Sequence, residues 1–115
     1  MSRALSERGV AKRRHHAAVF AALGDATRLS LVARLSVGEP HSIAQLTGGT
    51  HLTRQAITKH LRVLEDAGIV HSLRTGRESR FQFDPQPMNE LREYLTRVSE
   101  QWDRVLARLK TFVEN

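Results

Sequence analysis

The residues best equipped for chemistry lie in one run, LTRQAITKHLRVLEDAG, from Leu52 to Gly68. At the helical period Ile57, Leu61 and Leu64 form one line, while Gln55, Thr58, Lys59 and Arg62 fall about a third to half a turn of the cylinder away. The first line suits a core. The second offers amide, hydroxyl, ammonium and guanidinium groups in a row, which is recognition chemistry: Gln matches the edge of adenine, Arg or Lys matches guanine, and Thr matches a base edge or a phosphate. Arg54 adds a cation where the positive end of the helix dipole already favours a phosphate. A polar stripe alone is also what an ordinary solvated helix face looks like, so the flanking elements must decide between the two.

Those elements read as a presentation device. Thr53 caps the run and Gly68 stops it. Upstream, Ser42 caps a short helix, IAQLTG, with Gln45 three residues on as in a capping box, and Gly48-Gly49 breaks it. Before that, Asp25 caps ATRLSLVARLSVG, in which Leu29, Val32, Ala33 and Leu35 recur near the helical period, and Gly38 and Pro40 end it. AAVFAAL, reaching from His15 or His16 to Leu23, is a short apolar helix stopped by Gly24. After Gly68 the period becomes alternating: IVHSL and SRFQFD are strand candidates, and RTGRE between them carries the Gly that a hairpin needs. A short helix, a glycine break and a capped longer helix make a helix-turn-helix, and the hairpin makes it winged. Arg74, Arg77 and Arg80 on that hairpin are placed to meet a backbone phosphate or a minor groove.

Composition narrows the alternatives. The 115 residues fit one domain. The sequence lacks the run of about 20 apolar residues that a membrane span needs, and its opening, MSRALSERGVAKRRHH, lacks the apolar stretch of a secretion signal, so a cytoplasmic protein with no membrane partner is expected. Without cysteine there is no disulfide, thiolate metal site or thiol nucleophile. The net charge of +6 comes from two places. Arg3, Arg8, Lys12, Arg13 and Arg14 oppose only Glu7 in residues 1–16; basic groups also exceed acidic ones over 17–85, and the two balance over 86–115. A basic pI points to a polyanion. Residues 1–14, rich in charge and poor in apolar groups, read as a flexible basic arm or a frayed helix extension, with the domain proper at 15–115. The six histidines are scattered over different elements and form no ligand spacing. With no glycine-rich phosphate loop, no nucleophile context and no paired carboxylates in an apolar setting, enzyme function is not expected.

The final helix, expected over 86–113, carries the strongest periodicity. Met88, Leu91, Leu95, Val98, Trp102, Val105, Leu109 and Phe112 alternate steps of three and four, an apolar seam of heptad type. A helix of about 27 residues spans on the order of 40 Å, longer than this small domain can cover. The seam from Leu91 to Phe112, with Phe20 from the first helix, is therefore the expected homodimer interface.

Three segments then carry a family resemblance: ALGDATRLSLVARL, SIAQLTGGTHLTRQAITKHLRVLEDAGIV and RTGRESRFQFDP. Together, over about Ala21 to Pro85, they resemble the ArsR-type winged-helix repressors, in which an LGDPTR opening, an SQPxVSxHLxxLxxAGLV recognition region and an REGRxxxY wing recur. The resemblance implies a dimeric transcriptional regulator on a near-palindromic DNA operator, with Thr53, Arg54, Gln55, Thr58, Lys59 and His60 on the recognition motif and Arg74, Arg77 and Arg80 on the wing. It departs from relatives that sense soft metals through a CVC segment, since Ser42, Ile43 and Ala44 stand there. It departs also from those that bind zinc on the last helix, since 86–115 contains no His. No metal or cofactor is expected; the Trp-bearing final helix looks like the subgroup that dimerises through terminal helices.

The sequence thus predicts a mainly α fold with a small β-hairpin, in the order α-α-α-α-β-β-α. It predicts a homodimeric repressor of double-stranded DNA. An effector-gated sensor and a winged-helix interaction module without DNA binding stay open at this point.

Overall fold

The computed structural model describes residues 3–114, with side chains from Glu7 onward. Five helices and three short strands follow in the order α1 (Arg3–Leu23), α2 (Ala26–Ser36), β1 (His41–Ser42), α3 (Ile43–Thr47), α4 (Arg54–Asp66), β2 (Val70–Thr75), β3 (Glu78–Phe83) and α5 (Pro85–Glu114). No helix among the described residues is long and apolar enough to cross a membrane. The winged helix-turn-helix is present, with one addition. Of the two readings of residues 1–14, a flexible arm or a helix extension, the chain takes the helical form from Arg3, continuous with the first helix; Ala, Leu, Glu, Arg and Lys are strong helix formers, which charge content alone does not reveal. Met1 and Ser2 lie outside the described residues. The sheet also has a third strand, because His41 and Ser42 pair with Phe81 and Arg80 in the order β1-β3-β2.

Local chemistry accounts for the element ends. Asp25 Oδ2 accepts the backbone N–H of Arg28 at 3.0 Å and caps α2. Ser42 and Gln45 form the expected reciprocal capping box on α3, at 3.1 and 2.8 Å. α4 ends in a Schellman arrangement: Ile69 N–H donates to Leu64 O and Gly68 N–H to Glu65 O, both at 2.9 Å. Gly68 takes φ +77°, which a side chain resists. The same turn buries Leu64 and Ile69 completely and sends the chain into β2. In the hairpin Gly76, at φ +64°, is the first of the two turn residues, as a type II′ turn requires. Pro85 is the first residue of α5, where its missing N–H costs nothing, and Asp84 Oδ1 accepts from Gln86 N at 2.9 Å.

One core joins these pieces. Val19, Leu31, Leu35, Leu46, Ile57, Leu61, Leu64, Ile69, Val70 and Phe81 are buried, together with Leu91 from the start of α5. Fully burying each such aliphatic or aromatic side chain is worth roughly 1.5–3 kcal/mol. α4 contributes three fully buried residues from one face, so its opposite face is fixed toward solvent.

Candidate nucleic-acid interface

α4 is held on three sides, and this sets what it presents. Below it, α3 is fastened to α2 by the Arg34 guanidinium, which donates to Leu46 O at 2.8 Å and Gln45 O at 2.9 Å. These are the orphan carbonyls of a helix with too few turns to satisfy them itself. The connection to α4 is a hydrogen-bonded turn: Thr50 donates through its N–H and its hydroxyl to Thr47 O at 3.1 and 2.7 Å. Thr53 Oγ1 then accepts Ala56 N–H at 3.1 Å and starts α4. Toward the wing, Glu65 Oε2 accepts both the hydroxyl and the backbone N–H of Ser72 on β2.

The expected contact residues divide by placement. Gln55, Lys59 and Arg62 are exposed on the face opposite Ile57, Leu61 and Leu64, and Arg54 is exposed in the first turn. No side chain of these four pairs with another described residue. A row of flexible donors with no partner inside its own chain is free to meet acceptors outside it. Thr53 is exposed, with its hydroxyl oxygen used as the cap. Thr58 is half-buried on the flank, and its hydroxyl proton goes to Arg54 O at 2.7 Å, leaving an acceptor outward. His60 faces the other way: it is half-buried, with Nδ1 3.2 Å from Arg28 Nη1 and 3.8 Å from Asp25 Oδ2.

The wing arginines do not form one cluster. Residues directly paired across strands share a face, and Arg74 pairs with Ser79 while Arg80 pairs with Leu73. Arg74 therefore lies on the face of Ser72 and Phe81, the side that meets α4 and the core. Arg80 lies on the opposite face, its Nε 3.2 Å from Glu78 Oε2. Arg77 sits at the exposed turn.

Along α5, Leu95, Val98, Trp102, Val105, Leu109 and Phe112 are exposed, as is Phe20 on α1. Leu91 is corrected from interface to core, because the first turns of α5 pack on their own domain. Sequence periodicity missed Leu106 and Val113, which widen the exposed apolar face. It also missed Arg28, Arg34 and Glu65, which position α4 without facing outward; the signal for Arg28 was its place three residues after the Asp25 cap. Among the described residues no three His, Asp or Glu side chains gather closely enough to share a metal ion.

A capped, outward-facing α4, a short helix fastened beneath it and an Arg-tipped hairpin beside it define a winged helix-turn-helix DNA-binding transcriptional regulator. The helix-turn-helix domain family matches residues 23–72. The chain is 41% identical over 80 residues to an HTH-type transcriptional regulator of Bacillus subtilis (strain 168), YuzN, covering 64% of this chain and 87% of that one. Its fold matches an ArsR-like transcriptional regulator from Rhodococcus sp. RHA1 with TM-score 0.76 at 37% identity, over 87% of this chain and 93% of that one. The chain belongs to the ArsR-type family of transcriptional regulators. A homodimeric winged helix-turn-helix domain from Mycobacterium bovis shares the fold at TM-score 0.66 and 20% identity, over 82% of this chain and 86% of that one.

Proposed function

We propose that the protein is a cytoplasmic, homodimeric repressor that occupies a near-palindromic operator and blocks transcription by competing for that DNA. The observation that carries this reading is the row of Gln55, Lys59 and Arg62, exposed, unpaired within the described chain and backed by a fully buried apolar line. In this reading two copies of α4 enter successive major grooves about one helical turn apart. Gln55, Thr58 and Lys59 read base edges; Thr53, Arg54, Arg62, Arg74 and Arg77 hold phosphates and fix the register. No cofactor is needed. The homodimeric state of the Mycobacterium bovis neighbour supports a homodimer, and the exposed apolar seam of α5 is the face here that would form it.

Binding of the DNA upstream of the protein's own coding sequence, measured by fluorescence anisotropy across a salt series, tests the proposal. Log affinity should fall with log salt at a slope of roughly −5 or steeper, reflecting several phosphate contacts per dimer. Gln55→Ala should relax preference at one base position in each half-site, a loss of about 1–3 kcal/mol in discrimination. Binding that ignores salt, or a Gln55→Ala variant with unaltered sequence preference, would sink the proposal.

A further inference from the structure

We infer that His60 is a positioning residue and not a DNA contact, and that through Arg28 it fixes the recognition helix α4 to the C-terminal end of α1. The inference rests on the DNA-binding reading above for its functional consequence, and on the following geometry for the contact itself. Arg28 is half-buried where α1, α2 and α4 meet. Its Nε donates to Ala22 O and its Nη2 lies 3.4 Å from Ala21 O, both at the last turn of α1. Its Nη1 is 3.2 Å from His60 Nδ1. Its backbone N–H is held by Asp25 at the start of α2. One residue at the start of α2 thus ties the end of α1, through its guanidinium, to the middle of α4.

The chemistry fixes the roles. A guanidinium carries donors only, so His60 Nδ1 must accept and the ring proton must sit on Nε2. The carbonyls of Ala21 and Ala22 lie in the last turn of α1, where a cation is favoured by the dipole; that of Ala21 also accepts Gly24 N–H at 3.2 Å. Arg suits this place and Lys does not, because a rigid fork addresses α1 and α4 at once and a single ammonium does not. With Nδ1 committed inward, His60 lies off the outward row of Gln55, Lys59 and Arg62, although it stands in the middle of the same helix.

The consequence concerns where α4 sits relative to the helices that would hold two copies together. α1 packs on α5 through a stack of His16 on Tyr94, with ring centroids 4.8 Å apart, and an edge contact of Phe20 with Tyr94 at 6.3 Å. Besides the shared core, in which Val19 and Ala22 of α1 lie with Ile57 and Leu61 of α4, a polar path from the α1–α5 pair to the reading face therefore passes through Ala21 and Ala22, Arg28 and His60. Loss of that tie leaves the phosphate contacts in place and loosens their geometry, which lowers affinity without changing how many ions are released.

Four variants of the full chain separate positioning from contact: His60→Asn, His60→Leu, Arg28→Lys and, as a phosphate-contact reference, Lys59→Ala. In His60→Asn the side-chain carbonyl can stand where Nδ1 stood and accept from Arg28. Far-ultraviolet circular dichroism confirms that each is folded. Anisotropy against operator DNA should show His60→Leu binding about tenfold more weakly, since each of two protomers loses a side-chain hydrogen bond, with the salt slope unchanged. His60→Asn should recover most of that loss. Arg28→Lys should resemble His60→Leu, and the two together should cost less than their sum. Lys59→Ala should instead flatten the slope by about 0.9 for each phosphate it ceases to neutralise. A second readout needs no DNA: long-range proton–nitrogen NMR of the free protein should show His60 with Nδ1 unprotonated, and that signal should move in Arg28→Lys. Equal losses in His60→Leu and His60→Asn with a flattened slope would make His60 a phosphate contact and overturn the inference. A protonated Nδ1, or one indifferent to Arg28→Lys, would do so as well. Absence of any DNA binding by the unaltered protein would fail the repressor reading, while the NMR result would still decide the contact.

Discussion

Two aspartates show how single residues hold the reading unit together, and both titrate. The backbone N–H of Arg28 lowers the Asp25 carboxyl below its ordinary value, assisted by the Arg28 charge, against a smaller cost of burial. The backbone N–H of Gln86 does the same for Asp84, followed by the imidazole of His71, whose Nε2 lies 2.7 Å away. A carboxyl depressed in the folded state binds protons more readily when unfolded, so each contributes stability above the ordinary carboxylate value and loses it as pH falls through the depressed one. Thermal melting followed by circular dichroism should therefore drop on acidification below that ordinary value. Asp25→Asn and Asp84→Asn keep a capping oxygen but cannot titrate, so their melting temperatures should depend less on pH in that window. Curves that stay parallel to the unaltered protein would remove both caps from the account. The Asp25 cap itself was legible, since Asp25 before ATRLSL is a local signal. The tie from Arg28 to His60 was not, because it closes over 32 residues and only packing brings the two together.

At the level of elements, α4 was readable almost in full because its start, stop and inward line are all local features. Thr53, Gly68 and the row Ile57, Leu61 and Leu64 take the places their types demand. Leu64→Ala should cost about 2–5 kcal/mol in urea unfolding, since the residue is fully buried and also closes the Schellman turn against Ile69. A cost below about 1 kcal/mol would mean that the turn and core relax around the gap. β1 was not legible, because two residues cannot display alternation and their pairing partners lie far along the chain. The wing was half legible. Its arginines are close in sequence, but register puts Arg74 and Arg80 on opposite faces. In the salt series Arg74→Ala should reduce the slope by about 0.9 per phosphate released, and Arg80→Ala should leave it unchanged. The reverse order would place the DNA against the other face of the hairpin.

The whole molecule is shaped by what its own core does not cover. Its Cα radius of gyration is 19.0 Å, against roughly 13 Å for a compact domain of about this size. The excess comes from α1 and α5, about 32 and 45 Å long at 1.5 Å per residue. Beyond Leu91 every apolar residue of the α5 seam is exposed, Trp102 at 59% and Phe112 at 81%. The seam was plain in the sequence; its division into a core end and a free end was not, since periodicity does not say where a helix leaves its own domain. A continuous apolar face of this extent on an isolated chain is unfavourable in water, and in the proposed homodimer a second copy of the same face would cover it with matching heptad spacing. Trp102 is the sole tryptophan and reports on this directly. Its emission should move to the red as the protein is diluted through its dimer dissociation range, in step with the mass from sedimentation equilibrium. Trp102→Glu should give a folded monomer whose operator affinity falls by about 100-fold or more, because the second reading helix is no longer delivered at high effective concentration. A Trp102→Glu protein that stays dimeric would move the interface elsewhere, and a monomeric one that binds the operator undiminished would show that a single α4 and wing suffice.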